Sequence, residues 1–237
     1  MATRVYLQNA AAISAPATAR GAWNESGGAT ALKLFRERAG AIGETLVAET
    51  SATDAWDVMV LKLVSEPILA QTVAGTLDWL VGVRESDLAM NAHWHMHAYV
   101  EVGVTDAVRG TLYTDYTEAA GTNEWAVDPG AGEYTASGPT DPLTLTAVVA
   151  SDNDRIVIEL GYVARNTDIT SYTGALRFGG TSGIELVSGN ANLLTGWFSF
   201  SQDLFPPVKR AHRPHRSNTN NTADTLSFLG EEYTEWT

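Results

Sequence analysis

Three histidines, His93, His95 and His97, alternate with Trp94 and Met96. On an extended strand, side chains two apart share a face, so these imidazoles would stand in a row. Zinc takes such ligands, and a catalytic zinc keeps three protein ligands and one open position, which is the chemistry of a metal-dependent hydrolase. The spacing works against that use. Residues two apart lie about 6.6–7 Å from each other along a strand, whereas zinc wants its ligands roughly 2 Å away. Two of the imidazoles can converge on one ion; a third ligand is better supplied by another strand. Trp94, Met96, Ala98, Val100 and Val102 fall on the opposite face and read as core. The histidine ladder is therefore expected to face solvent or a partner, with a period-two pattern as its explanation and no metal. A pH-sensitive contact is a second use for the same face, because imidazole titrates near neutrality.

Other residue groups carry weaker chemistry. Ser151-Asp152-Asn153-Asp154 offers alternating oxygens of the kind calcium takes, but the EF-hand spacing is missing and the run is ordinary hairpin-turn chemistry. Five tryptophans, Trp23, Trp56, Trp79, Trp125 and Trp197, are candidates for a carbohydrate platform, since indoles suit interfaces. Trp79 and Trp197 lie in alternating runs and are expected in the core. Trp56 and Trp125 fall in loop-like sequence and are the candidate glycan contacts. There is no nucleophile elbow, phosphate-binding glycine loop, His-Glu-x-x-His helix or nucleotide fingerprint. Carboxylates are plentiful enough for a glycosidase pair, but nothing marks one.

The chemistry changes after Phe205. Pro206-Pro207 ends the strand pattern, and Lys209, Arg210, His212, Arg213, His215 and Arg216 form a basic patch. A polar spacer from Asn218 to Asn221 leads to Leu226, Phe228 and Leu229, then to Tyr233 and Trp236. A solvated tail does not usually gather so many large apolar residues. Frayed or cloned sequence is one explanation; an arm over residues 206–237 that docks on a neighbouring subunit is the preferred one.

These residues must be positioned by strands. Short alternating runs recur from end to end, separated by Gly, Asn, Asp, Thr, Ser and Pro, and no helical stripe persists. Strands are expected at Val5–Leu7, Ala31–Arg38, Glu44–Glu49, Val58–Val64 and Ala89–Val104, with one long strand from Gln71 to Val83 bent at Gly75 or Gly82. Further strands are expected at Thr111–Thr117, Leu143–Val149, Arg155–Val163, Tyr172–Phe178 and Thr195–Ser201. Ser51–Asp54 reads as a turn, and residues 118–142 as a long loop of functional or interface type. The pattern predicts an all-β chain: an antiparallel, jelly-roll-like β-sandwich over residues 1–205 with an extended C-terminal arm over 206–237.

Composition narrows the partners. The 237 residues carry a net charge of −13, with an isoelectric point near 4.7. That argues against direct binding of nucleic acid, which needs a basic face. Cysteine is absent, so neither disulfides nor thiolate metal sites are available. The N-terminus enters a strand pattern directly, without the features of a secretory signal, and no apolar run is long enough for a bilayer. Synthesis in the cytoplasm, no membrane partner and no cofactor are the expectations.

Four stretches carry a resemblance: Val47-Ala48-Glu49-Thr50-Ser51-Ala52-Thr53, Gln71-Thr72-Val73-Ala74-Gly75-Thr76, the run from Asp154-Arg155-Ile156-Val157 to Leu160-Gly161-Tyr162, and Ser171-Tyr172-Thr173-Gly174-Ala175-Leu176-Arg177-Phe178-Gly179. Together they resemble a group of structural proteins of tailed bacteriophages that are jelly-roll-like β-sandwiches. The resemblance spans about residues 3 to 203. It implies a non-enzymatic virion component, assembled in the host cytoplasm, whose partners are other virion proteins and copies of itself. A decoration or appendage-associated subunit, held partly by its arm, is the expected role. A carbohydrate-binding module for adhesion to a host-surface glycan and a metal-dependent hydrolase using the ladder stand as rivals.

Overall fold

A computed structural model describes residues 2–7, 16–26, 31–38, 43–49, 55–119, 124–127, 134–179, 184–188 and 194–205. The proposed arm over 206–237, with Lys209, Arg210, Arg213, Arg216, Leu226, Phe228, Leu229, Tyr233 and Trp236, lies outside the described residues, as does the expected turn Ser51–Asp54.

The chain is all-β. Its strands are β1 (Thr3–Leu7), β2 (Glu25–Ser26), β3 (Ala31–Phe35), β4 (Gly43–Ala48), β5 (Trp56–Val64), β6 (Gln71–Val73), β7 (Thr76–Glu85) and β8 (His93–Glu101). They continue with β9 (Val108–Thr117), β10 (Thr135–Ser137), β11 (Leu143–Thr144), β12 (Val148–Ala150), β13 (Arg155–Ala164), β14 (Thr173–Phe178) and β15 (Trp197–Phe200). One hydrogen-bonded path runs β4-β14-β7-β15-β1-β3-β5-β13-β8-β9, while β12 and β6 pair separately. The sheet is mixed: β2 and β3 run parallel to β5, and the other pairings are antiparallel. No helix among the described residues is long and apolar enough to cross a membrane.

Local chemistry sets several boundaries. The run from Gln71 to Val83 is interrupted rather than bent. Gly75 takes a left-handed φ of 85°, which glycine adopts without strain. β6 therefore leaves to pair with β12, and β7 continues to Glu85. The strand expected from Ala89 starts later, because Leu88–Met90 forms a 3-10 turn. Its start is capped by the Asp87 side chain and its end is marked by left-handed Asn91. The long loop over 118–142 contains β10, which pairs with Val81–Val83 of β7.

The path folds over on itself, so that Trp79 of β7 meets Trp94 of β8 edge to face at 5.8 Å. Trp125 packs on Trp94 at 5.0 Å and Phe198 on Trp79 at 5.9 Å. This aromatic centre joins Met96, Ala98, Val100, Ile156, Ile158 and Leu160 in one apolar core. Burying each large side chain contributes roughly 1.5–3 kcal/mol. The ladder's opposite face is thus core, as the alternation predicts, from Trp94 to Val100; Val102 lies beyond the strand and is half-buried.

Candidate functional site

The ladder lies on β8, one strand in from the β9 edge of the path, on the face turned away from that core. β13 is flanked by β5 and β8, and the register sets Glu159 between Lys62 and His97. Gly161 sits between Met59 and His95, at a bulge in the pairing with β5. A Cβ on Gly161 would stand 1.9 Å from the Val58 carbonyl oxygen, so only glycine permits that approach.

The expectation that the ladder faces solvent is corrected here. His93, His95 and His97 are 2%, 2% and 5% exposed. His95 and His97 are covered by a strap of chain over residues 16–26, which is bonded to the sheet through side chains and, from Asn24 to Ser26, through backbone. Both oxygens of Glu159 accept the Arg20 amide at 2.9 Å; one of them also accepts the Gly21 amide at 2.9 Å and Trp23 Nε1 at 2.8 Å. Lys62 Nζ donates to the carbonyls of Pro16 at 2.7 Å and Thr18 at 3.1 Å. The Trp23 indole stacks on His95 with ring centres 4.2 Å apart. The fit is close at Gly21, where a Cβ would lie 2.6 Å from Trp23 Nε1 and 2.9 Å from His97 Cβ.

Each of the two inner imidazoles is tied to a carboxylate. His95 Nδ1 meets Asp57 Oδ1 at 2.5 Å and His97 Nδ1 meets Asp115 Oδ1 at 3.0 Å. Since a carboxylate only accepts, the Nδ1 atoms carry the hydrogens. His95 Nε2 is 3.7 Å from Asp115 Oδ1, beyond hydrogen-bond reach. Backbone irregularities aim these carboxylates. β9 bulges opposite His97, because Met96 pairs with Tyr116 and Ala98 with Tyr113. Asp115 sits in that bulge at a left-handed φ of 43°, and Ala55, two residues before Asp57, is also left-handed at 58°. Such bulges re-aim side chains, and left-handed non-glycine residues store strain.

The electrostatics follow from burial. Desolvation pulls the Lys62 ammonium below its usual range, opposed by the Glu159 carboxylate 3.9 Å away. Burial pushes the Asp115 carboxyl up, but the Ala22 amide and the His97 and His95 imidazoles outweigh it and hold it below the usual range. Beside the ladder, Glu101 pairs with Arg155 at 2.5 Å. Among the described residues, no group of three or more histidines or carboxylates is placed to hold a metal ion. The Nδ1 atoms of His95 and His97 are committed to aspartates, Trp23 covers one face of His95, and His95 Nε2, though without a partner, is buried away from solvent. The arrangement can position a strap.

The candidate glycan contacts are also corrected. Trp125 is 1% exposed and belongs to the core. Trp56 opens β5 instead of lying in a loop, and it packs half-buried against the same core. Trp79 is core as expected. Trp197 is not: it is half-buried at the wall of an open cleft of about 680 Å³. The acidic turn holds no opening for calcium, because Asp152 caps the Ala70 amide at 2.8 Å and Asp154 binds Arg109 through two bonds of 2.8 and 3.2 Å.

Sequence reasoning missed Asp57, Asp115, Glu159 and Lys62, and it considered Trp23 only for a carbohydrate platform. A signal existed for two of them. Glu159 interrupts Ile156-Val157-Ile158 and Leu160, and Lys62 interrupts Val60-Leu61 and Leu63-Val64. A lone charge inside a strand apolar on both sides marks burial on both faces.

No family model matches this chain, and no curated protein matches it. Among solved structures, an α-amino acid ester hydrolase is similar at a TM-score of 0.36 and 11% identity. The likeness covers 84% of this chain and 36% of that one, so the chain spans about a third of that protein's length. At this level the likeness assigns neither an activity nor a detailed topology.

Proposed function

We propose that this chain is a non-enzymatic structural subunit of a tailed-bacteriophage particle, a decoration or appendage-associated component with a jelly-roll-like sandwich body. The observation that carries the reading is the closure of the ladder. The residues best suited to chemistry, His95, His97, Glu159 and Lys62, are buried and bonded to the strap or to aspartates. Apart from His95 Nε2, which has no hydrogen-bond partner, these buried groups are paired, and a paired polar network rigidifies a body and specifies one packing. Three of the four stretches that carry the phage resemblance agree with a framework role, since they fall on β6 and the start of β7, on β13 and on β14; the fourth starts at the end of β4, and its residues 50–53 lie outside the described residues. An acidic body keeps free subunits apart before assembly, and the basic patch from Lys209 to Arg216 suits an acidic neighbour.

The test is quantitative mass spectrometry of density-purified particles from infected cells. The protein is expected at a fixed ratio to the major head protein, and deletion of residues 206–237 is expected to lower that ratio. Abundance in the lysate with absence from particles overturns the reading. Full incorporation without the arm removes only the arm from it.

A further inference from the structure

We propose that the cleft walled by Trp197 is a binding site for an uncharged saccharide. The cleft's volume of about 680 Å³ falls within the range of small-molecule sites. It lies between β7, β10, β15 and the segment 184–188.

Its aromatic wall is fixed before any ligand arrives. Trp197 Nε1 donates to the Leu186 carbonyl at 2.9 Å, which locks the indole against the 184–188 segment. The Arg4 guanidinium stacks 4.1 Å from the centre of the ring and is itself held by Glu185 at 2.5 Å. A wall held from two sides loses little freedom on binding, which favours affinity from a small contact.

Polar groups surround the wall. Asp78 and Glu124 line the cleft with Ser137 and Thr140. Ser137 Oγ already accepts from the buried Trp94 Nε1 at 2.9 Å, so its own hydrogen is left to donate. Asp78 Oδ1 accepts its neighbour's amide, from Trp79, at 2.8 Å; its other oxygen remains for a ligand hydroxyl. Burial pushes the Asp78 carboxyl up, against the Trp79 amide and Arg4, which marks it as partly removed from water. With one indole face taken by Arg4, the rest of the half-buried ring, edged by carboxylates and hydroxyls, matches a sugar ring, with its apolar C–H face and its rim of hydroxyl groups.

Charge selects within that class. The lining contains three carboxylates, Asp78, Glu124 and Glu185, against the single cation Arg4. Phosphorylated, sulfated or sialylated sugars would meet like charge in this cleft and are disfavoured. The inference is independent of the particle role, because particle incorporation and saccharide binding are separate readouts.

The test uses the full-length protein on an array of neutral oligosaccharides, with sialylated and sulfated ones as controls, followed by calorimetric titration of the best neutral ligand. Binding confined to neutral oligosaccharides is expected. Trp197→Ala should weaken it about tenfold or more, and Asp78→Asn several-fold. Thermal melts report whether each variant folds, and Asp78→Asn decides the matter if Trp197→Ala does not. Absence of any neutral ligand, preference for the charged glycans, or parent-like binding by every folded variant overturns the proposal.

Discussion

The histidine ladder and the Trp197 cleft contain much the same chemistry, an aromatic ring, carboxylates and cations, yet they differ in what remains available. At the ladder, Glu159 receives three donor groups from the strap and is fully buried, and Trp23 covers His95. At the cleft, Trp197 and Arg4 are held by Leu186 and Glu185 but stay partly exposed, and Asp78 keeps an oxygen for solvent. Residue types capable of chemistry mark a site only where the fold leaves their polar atoms both unused and reachable; His95 Nε2 is unpartnered but buried. Glu159, Lys62 and Asp115 lock the strap over the ladder, and the cleft is a surface prepared for contact.

The largest expected effect is at the lock. Glu159→Ala leaves the Lys62 ammonium buried without its carboxylate and orphans the amides of Arg20 and Gly21, so it should cost about 3–5 kcal/mol. Urea denaturation measures this, and a loss below about 1 kcal/mol would erase the distinction between the two regions. Gly21→Val should follow at about 1–3 kcal/mol, because its side chain would enter the space of Trp23 and His97. The same denaturation series reads it.

A pH effect comes from Glu85, at the end of β7. Burial pushes its carboxyl from the ordinary 4.5 up to about 8, against the Ala92 amide and with help from Glu124 and Asp87. The folded state then holds a proton that the unfolded state has released, so stability should fall as pH rises from about 4.5 to about 8. Melts across that range should show the decline, and Glu85→Gln should flatten it. Asp115 acts with the opposite sign. Its lowered value gives stability that is present above the ordinary carboxylate pKa and is lost as pH falls through that lowered value.

The smallest effect on stability belongs to the cleft. Arg4→Ala removes a partly exposed ion pair with Glu185 and should cost no more than about 1 kcal/mol. A larger loss in the same melts would mean that the cleft wall is as structural as the ladder.

Much of the framework was legible in the sequence. Alternation from Trp94 to Val100 identified the core face of β8, and turn residues separated most strands. The cover over the ladder was not legible. His93, His95 and His97 alternate as a solvated face does, and local periodicity does not reveal that residues 16–26 fold back over them. Asp57 and Asp115 acquire their roles from a left-handed neighbour and a β-bulge, which pairing across strands creates. Trp197 was misplaced for a related reason: the Arg4 and Leu186 contacts that hold it at a cleft wall come from distant segments.

Amide hydrogen exchange on the intact protein tests the central claim most directly, that the strap is locked to the sheet over the ladder. The amides of Arg20, Gly21 and Ala22, bonded to Glu159 and Asp115, should exchange within about an order of magnitude of the slowest amides in β13. Exchange of these three at the rate of open chain, with β13 still protected, would contradict the lock and leave the imidazoles open to ligands.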